Sequence, residues 1–354
     1  MEVGEGIVLD VNSLYPSVMY YDKMPYGEGK YFFGQYVKDD MYDLYIQNFS
    51  CTFELKEKHI PTLQIKGAPY AFKENEYLTS SNSEEVFLSM TNIDLSLFLD
   101  HYNVYNLNFI DGWKFKSKTG FFRAYIDKWS QIKIESKENG NSAMYTLAKL
   151  MLNALYGKFA LNPEVRSKIP FFDEEQDRVR YKFGEKEQRK PVYLPIGTFI
   201  TSYARNKTIR SAQKVYDRFI YADTDSLHLI GTEMPDCLEI DKTKLGAWDH
   251  ELTFIRGKYI CQKRYLETYE VGYKELKKAL TELELKEIDE QFRAYWFNGT
   301  LVRDKITCAG MPKSCYKQVT WDNFKIGEHF DNKLIMRHVK GGIVLKDLGF
   351  TMKG

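Results

Sequence analysis

The sequence predicts an α+β fold built from several subdomains, and three observations support this prediction. One apolar strand ends at Asp10, and another leads into Asp223-Thr224-Asp225 much later in the chain. Between them, two helix-like segments cover 119–135 and 143–160. The chain of 354 residues is also longer than one hydrophobic core usually supports. We therefore expect separate units that combine helices and strands.

Composition excludes some classes of protein. The 44% hydrophobic and 15% aromatic content is that of a well-packed globular protein. Lys and Arg total 50 against 49 Asp and Glu, so the formal charge of +1 neither indicates nor excludes a nucleic-acid partner. The five cysteines form no Cys-x-x-Cys pair, which argues against zinc and for a reducing compartment. Without a secretion signal or an apolar run of membrane-spanning length, we expect an intracellular protein with no membrane contact.

The amino-terminal elements come first. Residues 5–10 read as a short buried strand, and Asn12 or Ser13 is placed to cap the helical turn that follows. The block 26–112 separates two acidic strings and is predicted to be an insertion with its own small core. Its pattern predicts strands at 50–56 and 61–66 and a helix over 83–101.

From residue 119 onwards, the chain mixes helical and extended patterns. The two helix-like segments form a predicted helical hairpin, and the charge-dense segment 164–191 is predicted to be an exposed hairpin or loop. Further predictions are a helix over 192–212 and strands at 218–221, 226–230 and 258–269. A charged helix with apolar positions from Leu276 to Tyr295 follows, and small strands with a short helix are predicted at the carboxyl end.

The acidic strings have the residue types of a magnesium site. Asp10 stands at the carboxyl end of its strand, where its side chain and the Val11 carbonyl can both face a cleft. Asp223 and Asp225 share one side of an extended segment, so their carboxylates repel each other unless a cation neutralises them. Mg²⁺ prefers such hard oxygen ligands. A plain turn at Asp10 and an Asp-rich hairpin turn at 223–225 remain the alternatives.

The helix 143–160 predicts a nucleotide platform. One face carries Lys149, Asn153 and Tyr156, with Gly157 beside them. A lysine supplies a point charge for phosphates, an aromatic ring stacks on a base, and a glycine permits close approach. A solvated helix face is the alternative.

Two weaker signals lie in strands. Lys263 and Tyr265, two residues apart in the predicted strand 258–269, would share one side and grip the phosphates of a primer. An exposed strand without this function explains them equally well. His228 reads as a packed strand histidine rather than a metal ligand.

Together, three strings resemble the polymerase motifs of family B DNA polymerases. They are Asp10-Val-Asn-Ser-Leu-Tyr-Pro16, Lys149 to Asn153-Ala-Leu-Tyr156-Gly157, and Tyr221-Ala-Asp-Thr-Asp-Ser226, while Lys263-x-Tyr265 is similar to the primer-strand motif of that family. The chain most resembles the protein-primed enzymes of small tailed Bacillus bacteriophages. This likeness extends over 119–129, 157–163 and 308–311 and covers nearly the whole chain.

The resemblance implies a palm, fingers and thumb fold with two insertion subdomains. The implied boundaries are palm at 1–25 and 192–297, first insertion at 26–112, fingers at 113–163, a second, hairpin insertion at 164–191, and thumb at 298–354. The resemblance also implies that Asp10 and Asp225 hold two Mg²⁺ ions, for which Mn²⁺ can substitute. Asp223 would be a more peripheral ligand or an electrostatic support, and the Val11 carbonyl would also face the metal.

Other roles and partners follow from the same resemblance. The implied nucleotide-binding residues are Tyr15 beneath the incoming sugar, Lys133 and Lys149 at the triphosphate, Asn153 and Tyr156; the implied primer contacts are Lys263, Tyr265 and Gly157. The implied partners are template-primer DNA, deoxynucleotides and a terminal protein that primes synthesis. We expect a monomer in the cytoplasm of a bacterial host.

The chain departs from the family pattern in three places. It begins nine residues before Asp10, so we expect it to lack the proofreading exonuclease domain of such enzymes. Tyr145 stands where relatives carry a lysine, four residues before Lys149, and extra residues surround 139–141. The charged segment 274–297 is longer than the family pattern implies.

The predicted function is template-directed DNA polymerisation onto a primer 3′-hydroxyl by a two-metal mechanism, in protein-primed, phage-type replication. Two alternatives stay open. A metal-dependent Asp-x-Asp glycosyltransferase would account for Asp223 and Asp225 but not for the Asp10 string. A non-catalytic DNA-binding remnant would bind DNA without extending a primer.

Overall fold

A four-stranded antiparallel sheet carries both acidic strings. The computed structural model describes residues 1–65, 72, 76–175, 178–190, 192–271, 294–339, 342–347 and 349–353. In strand order the sheet consists of β11 (Trp248–Phe254), β2 (Gly6–Val11), β10 (Ser226–Ile230) and β9 (Phe219–Asp223). β2 is an inner strand, and the complete burial of Ile7, Val8 and Leu9 agrees with its unbroken apolar run.

Four helices share one hydrophobic core with this sheet. They are α1 (Leu14–Tyr21), α3 (Arg123–Glu138), α4 (Ser142–Phe159) and α5 (Leu194–Lys214). The core combines apolar side chains from the helices with those of the strands, among them Ile7, Leu9, Leu14, Ile126, Leu152, Ile200 and Leu227. The Asn141 side chain caps α4 by accepting the Met144 N–H at 3.1 Å, so the predicted helical hairpin turns just before it.

A second antiparallel sheet contains five strands. Its order is β1 (Glu2–Val3), β12 (Arg256–Cys261), β13 (Arg264–Glu270), β15 (Thr300–Cys308) and β14 (Ala294–Phe297). The carboxyl-terminal residues add a 3₁₀ turn at Lys313–Gln318, the strand pair of β16 (His329–Phe330) and β19 (Phe350–Thr351), and the hairpin of β17 (Leu334–Val339) and β18 (Gly342–Asp347). Leu266, Cys315 and Phe324 lie in the core of this part.

Residues 24–118 form a sheet with a core of its own. Its strands run in the order β3 (Met24–Phe33), β6 (Tyr102–Lys118), β4 (Leu44–Leu55) and β5 (Val86–Thr91), and α2 (Asn92–His101) packs against them. Phe49, Phe98 and Tyr102 are fully buried there. Asp94 on α2 accepts a hydrogen bond from Ser202 Oγ at 2.7 Å, which ties this unit to α5.

The segment 164–191 contains an antiparallel hairpin, made of β7 (Glu164–Asp173) and β8 (Arg178–Gln188). The hairpin exposes aromatic rings, namely those of Phe171, Phe172, Tyr181 and Phe183. β8 lies beside β17 of the carboxyl-terminal region. Across the described parts of the chain, no helix has the length and apolar character needed to cross a membrane.

Two predictions within the first insertion were wrong. The helix predicted over 83–101 begins only at Asn92, because residues 86–91 form β5 and the Thr91 side chain then caps α2 by accepting the Asp94 N–H at 3.2 Å. The strand predicted at 61–66 is irregular over its described residues, 61–65. There the Thr62 and Leu63 N–H groups donate to the Tyr102 hydroxyl instead of to a neighbouring strand.

Two other predictions also need correction, and a third falls mainly outside the described residues. The predicted strand 258–269 is two strands, because Lys263 turns the chain with a φ of 58°. Ser13 precedes α1 with a φ of 56° but provides no side-chain cap. The helix predicted from Leu276 to Tyr295 falls mainly on 272–293, outside the described residues, and Tyr295 itself belongs to β14.

Candidate active site

The strand ends bring Asp10 and Asp225 to one cleft. Asp10 pairs in register with Ser226, the first residue of β10. Asp225 lies in the two-residue turn that joins β9 to β10, and Thr224 beside it has a φ of 57°. The Val11 N–H donates to the Asp225 carbonyl at 2.8 Å and fixes this turn against the end of β2. Asp10, Val11 and Asp225 all line a cleft of about 420 Å³.

The two carboxylates repel each other in a partly buried setting. Burial raises the pKa of Asp10 to about 7, assisted by the negative charges of Asp225 and Glu251. The pKa of Asp225 is also raised, mainly by burial. Within the described ranges, neither carboxylate forms an ion pair, although the charges of Lys149 and Lys305 lower the pKa of Asp10. Such a pair is stabilised by a bound cation.

Asp223, the third acid, is neutralised by a lysine. Lys263 Nζ donates to both carboxylate oxygens of Asp223 at 2.8 Å, and the Lys263 N–H donates to the Tyr221 hydroxyl at 2.8 Å. The prediction that Lys263 and Tyr265 share one side of a strand is wrong, because Lys263 occupies the turn between β12 and β13. Lys263 is therefore positioned beside the acids.

Tyr265 is buried in an aromatic cluster. Its side chain is only 7% exposed and packs against the rings of Tyr221, Tyr259 and His228. Burial raises the pKa of Tyr265 to about 12. The predicted direct grip of Tyr265 on a primer phosphate does not fit this burial, whereas His228 is a packed strand histidine, as predicted.

Three lysines from α3 and α4 line the same cleft as the acids. These are Lys133, Lys137 and Lys149. Lys133 Nζ donates to Ser13 Oγ at 3.2 Å. Burial lowers the pKa of Lys133, and the positive charges of Lys149 and Lys137 act in the same direction. Crowded like charges of this kind favour an anionic ligand.

An aromatic stack lies at the cleft. The rings of Tyr15 and Tyr156 are parallel to within 15°, with their centroids 4.2 Å apart. Asn153, one turn before Tyr156 on α4, lines the cleft and is exposed. A Cβ added to Gly157 would meet no described atom within 4 Å, so this glycine borders open space. The predicted helix face is thus a surface that a planar ligand can approach.

Sequence reasoning missed two residues near the acids. Lys137 lies four residues after Lys133 on α3, a spacing that places both on one helix face and would have identified it. No sequence pattern around Glu251 indicates a role at the site. It influences Asp10 because β11 pairs with β2, and Lys305 Nζ donates to it at 2.8 Å.

The available donors fit a hard divalent cation. The Asp10 and Asp225 carboxylates line one cleft together with Val11, and neither forms an ion pair among the described residues. In the part of the chain that the structure describes, no three His, Cys, Asp or Glu side chains form a metal cluster. The remaining ligands would come from backbone and phosphate oxygens, the arrangement that Mg²⁺ usually accepts.

Known proteins similar to this chain are DNA polymerases. The DNA polymerases of Bacillus phages B103 and phi29 are 47% and 46% identical to it, and each match covers 99% of this chain. That of Streptococcus phage Cp-1 is 33% identical over 353 residues. The chain spans 59% of the B103 protein, 58% of the phi29 protein and 56% of the Cp-1 protein.

A solved structure and a family match complete the comparison. Phi29 DNA polymerase complexed with primer-template DNA and incoming nucleotide substrates matches with a TM-score of 0.88 and 45% identity, over 100% of this chain and 59% of that one. The predicted α+β polymerase fold is thereby confirmed. Residues 2–243 match the family described as DNA polymerase type B, organellar and viral. The chain therefore belongs to the organellar and viral type B DNA polymerase family.

Proposed function

We propose that the chain is a template-directed DNA polymerase that adds deoxynucleotides to a primer 3′-hydroxyl. The observation that carries this proposal is the presence, in one cleft, of the Asp10 and Asp225 carboxylates and a cluster of three lysines. Carboxylates that need a cation and lysines that need an anion suit a metal-bound triphosphate. The similar phi29 structure, which contains primer-template DNA and incoming nucleotides, supports the same reaction.

Asp10 and Asp225 would hold two Mg²⁺ ions, with the Val11 carbonyl and Asp223 as neighbouring ligands; Mn²⁺ would substitute. When bound, the ions would lower the pKa of the primer hydroxyl and stabilise charge on the transferring phosphate. The chain holds the two carboxylates together against their repulsion through strand pairing and the Val11–Asp225 hydrogen bond. Lys263 neutralises Asp223 and so limits the negative charge at the site.

The lysine cluster and the aromatic stack would bind the incoming nucleotide. Lys133 and Lys149, together with Lys137, would contact the triphosphate through charge-assisted hydrogen bonds. Tyr15, held flat by Tyr156, would lie beneath the sugar, and Asn153 would reach the same nucleotide from α4. The open space at Gly157 leaves room for the primer-template pair.

We propose the following division of the chain: palm at 1–25 and 192–297, first insertion at 26–112, fingers at 113–163, hairpin insertion at 164–191 and thumb at 298–354. The separate hydrophobic core within residues 49–102 supports the first insertion. The hairpin insertion and thumb, which meet at β8 and β17, would flank the DNA. Priming by a terminal protein, a monomeric state and action in the host cytoplasm are further proposals from the likeness to Bacillus phage proteins.

Primer extension on a short template-primer, with and without Mg²⁺, tests the function. We expect products only with metal, and their sequence should follow the template. Binding of template-primer without extension would support the DNA-binding remnant. Turnover of a nucleotide sugar would support the glycosyltransferase, which leaves the Asp10 string unexplained.

A further inference from the structure

A fully buried polar network lies behind the aromatic cluster. His228 on β10 and Glu267 on β13 are both 0% exposed, and His228 Nδ1 lies 2.5 Å from Glu267 Oε1. The Tyr259 hydroxyl donates to the same oxygen at 2.6 Å. Charged side chains are seldom buried so completely without a partner, and this network joins the two sheets of the palm.

The network leads to the acids through a series of contacts. The rings of Tyr221 and His228 meet edge to face with their centroids 5.3 Å apart. The Tyr221 hydroxyl accepts the Lys263 N–H, and Lys263 Nζ in turn contacts Asp223. Glu267 is therefore linked to the metal-site turn by His228, Tyr221 and Lys263.

The geometry suggests that this network is not optimised for stability. Glu267 Oε2 is buried and has no hydrogen-bond partner among the described residues. Burying an unpaired polar atom costs free energy, and apolar side chains of similar volume often replace a buried pair of ionisable side chains without loss of stability. Directional hydrogen bonds, unlike apolar contacts, fix the relative position of two strands.

We propose that Glu267 is a positioning residue for polymerisation. Through His228 and Tyr259 it holds β10 and the two strands around the Lys263 turn in one register, so that Lys263 stays on Asp223 and in reach of the primer. This inference rests on the proposed polymerase function. It extends that function to a residue that touches neither metal nor substrate.

A double-mutant cycle tests the coupling between Glu267 and Lys263. The variants are Glu267→Ala, Lys263→Met and their combination. Extension assays give kcat and the KM for template-primer, and a separate binding assay gives the affinity for template-primer without metal. We expect Glu267→Ala to lower kcat/KM about tenfold in the parent but less than about twofold in the Lys263→Met background, because contacting networks are non-additive. The KM for dNTP should not change, since the lysine cluster is untouched.

Matched variants separate positioning from stability. Glu267→Gln keeps the Oε1 acceptor and should restore activity to within about threefold of the parent. If Glu267→Ala folds poorly, His228→Phe takes its place in the cycle. This second variant keeps a ring but breaks the link, and it should show the same loss of kcat/KM. Leu266→Ala, at a fully buried neighbour in β13, should lower the Tm and yet be additive with Lys263→Met.

The outcomes are distinct. Glu267→Ala would not act by positioning Lys263 if it caused the same loss in the parent and in the Lys263→Met background. This outcome, seen in activity and in metal-free affinity, would overturn the positioning role. So would a Glu267→Gln variant as impaired as Glu267→Ala. A parent protein that binds template-primer but never extends it would overturn the proposed function, and the affinity cycle would still decide the coupling.

Discussion

Tyr15 and Tyr156 form a parallel ring stack, with a centroid separation of 4.2 Å, at the cleft that holds the acids. Tyr15 lies in the first turn of α1, which follows the strand that ends beside Asp10, whereas Tyr156 comes from α4. The stack therefore fixes α4 against α1. It also removes the freedom of Tyr15 to move away from a ligand above it.

The first prediction concerns sugar selection. If the fixed Tyr15 ring lies beneath the sugar, a 2′-hydroxyl should clash with it. Tyr15→Val should then raise the use of ribonucleotides relative to deoxynucleotides by about 10–100-fold, in the range of steric pocket discrimination. Competing single-nucleotide insertion measures the ratio. Tyr156→Leu, which frees the ring, should give a smaller change in the same direction, and an unaltered ratio in both would make the stack a packing contact only.

The second prediction separates chemistry from stability at the metal site. Asp10→Asn should abolish extension while template-primer affinity stays within about twofold, because phosphate contacts rather than the metal dominate DNA affinity. The same change should raise the Tm of the metal-free protein at pH 8, since it removes a repelled, half-buried carboxylate. Asp236→Asn, at an exposed acid, is the control and should alter neither property. A fall in Tm for Asp10→Asn would contradict the electrostatic account.

The third prediction tests the lysine cluster. Lys149→Ala should raise the KM for dNTP and lower kcat, with a combined effect of about ten- to a hundredfold for one charge-assisted phosphate contact. Lys128→Ala, at an exposed lysine on α3 that does not line the cleft, should leave dNTP kinetics unchanged. Steady-state insertion of one nucleotide gives both constants. Identical kinetics in the two variants would support the alternative, in which the Lys149 face of α4 is a solvated surface without a ligand.

The fourth prediction concerns stability and pH. Asp22 follows the last residue of α1, and burial raises its pKa to about 6, above its ordinary value of 3.8. The folded state therefore penalises the ionised form, and stability is lost as pH rises from about 4 to 6. Asp22→Asn should add about 1–3 kcal/mol to the free energy of unfolding at pH 7.5 and nothing near pH 4. Denaturant unfolding at both pH values checks this, and a gain independent of pH would refute it.

The fifth prediction addresses the β7–β8 hairpin. Ile169 pairs with Lys182, so replacing 170–181 by a short glycine linker shortens the hairpin without changing its register. If hairpin and thumb flank the DNA, this variant should make shorter products under single-binding conditions and become more salt-sensitive. A substitution of Phe183 alone, which keeps the hairpin length, is the matched control. Product lengths that match the parent at low and moderate salt would leave the hairpin as a surface feature.

The parts of the site that depend on short-range sequence patterns were predicted, whereas those that depend on pairing between distant strands were not. The strand before Asp10 and the turn at 223–225 were predictable because apolar runs and acidic turns are short-range signals. Lys263 was misassigned because nothing in a charged tripeptide shows that its backbone adopts a positive φ. Glu251 was missed because its effect on Asp10 depends on the register of β11 against β2. Pairing between distant strands is a tertiary property that one sequence does not display.

The position of β2 inside its sheet has a consequence for synthesis of the protein. Its hydrogen-bonded neighbours, β10 and β11, are not translated until residues 226–254. Until then the fully buried Ile7, Val8 and Leu9 have no sheet to join, a condition that slows folding and favours aggregation. Among the described strands, those of residues 24–118 pair only with one another, so their sheet can form soon after this segment leaves the ribosome. In the nascent chain, the sheet of residues 24–118 can therefore form before the sheet that carries Asp10 and Asp225.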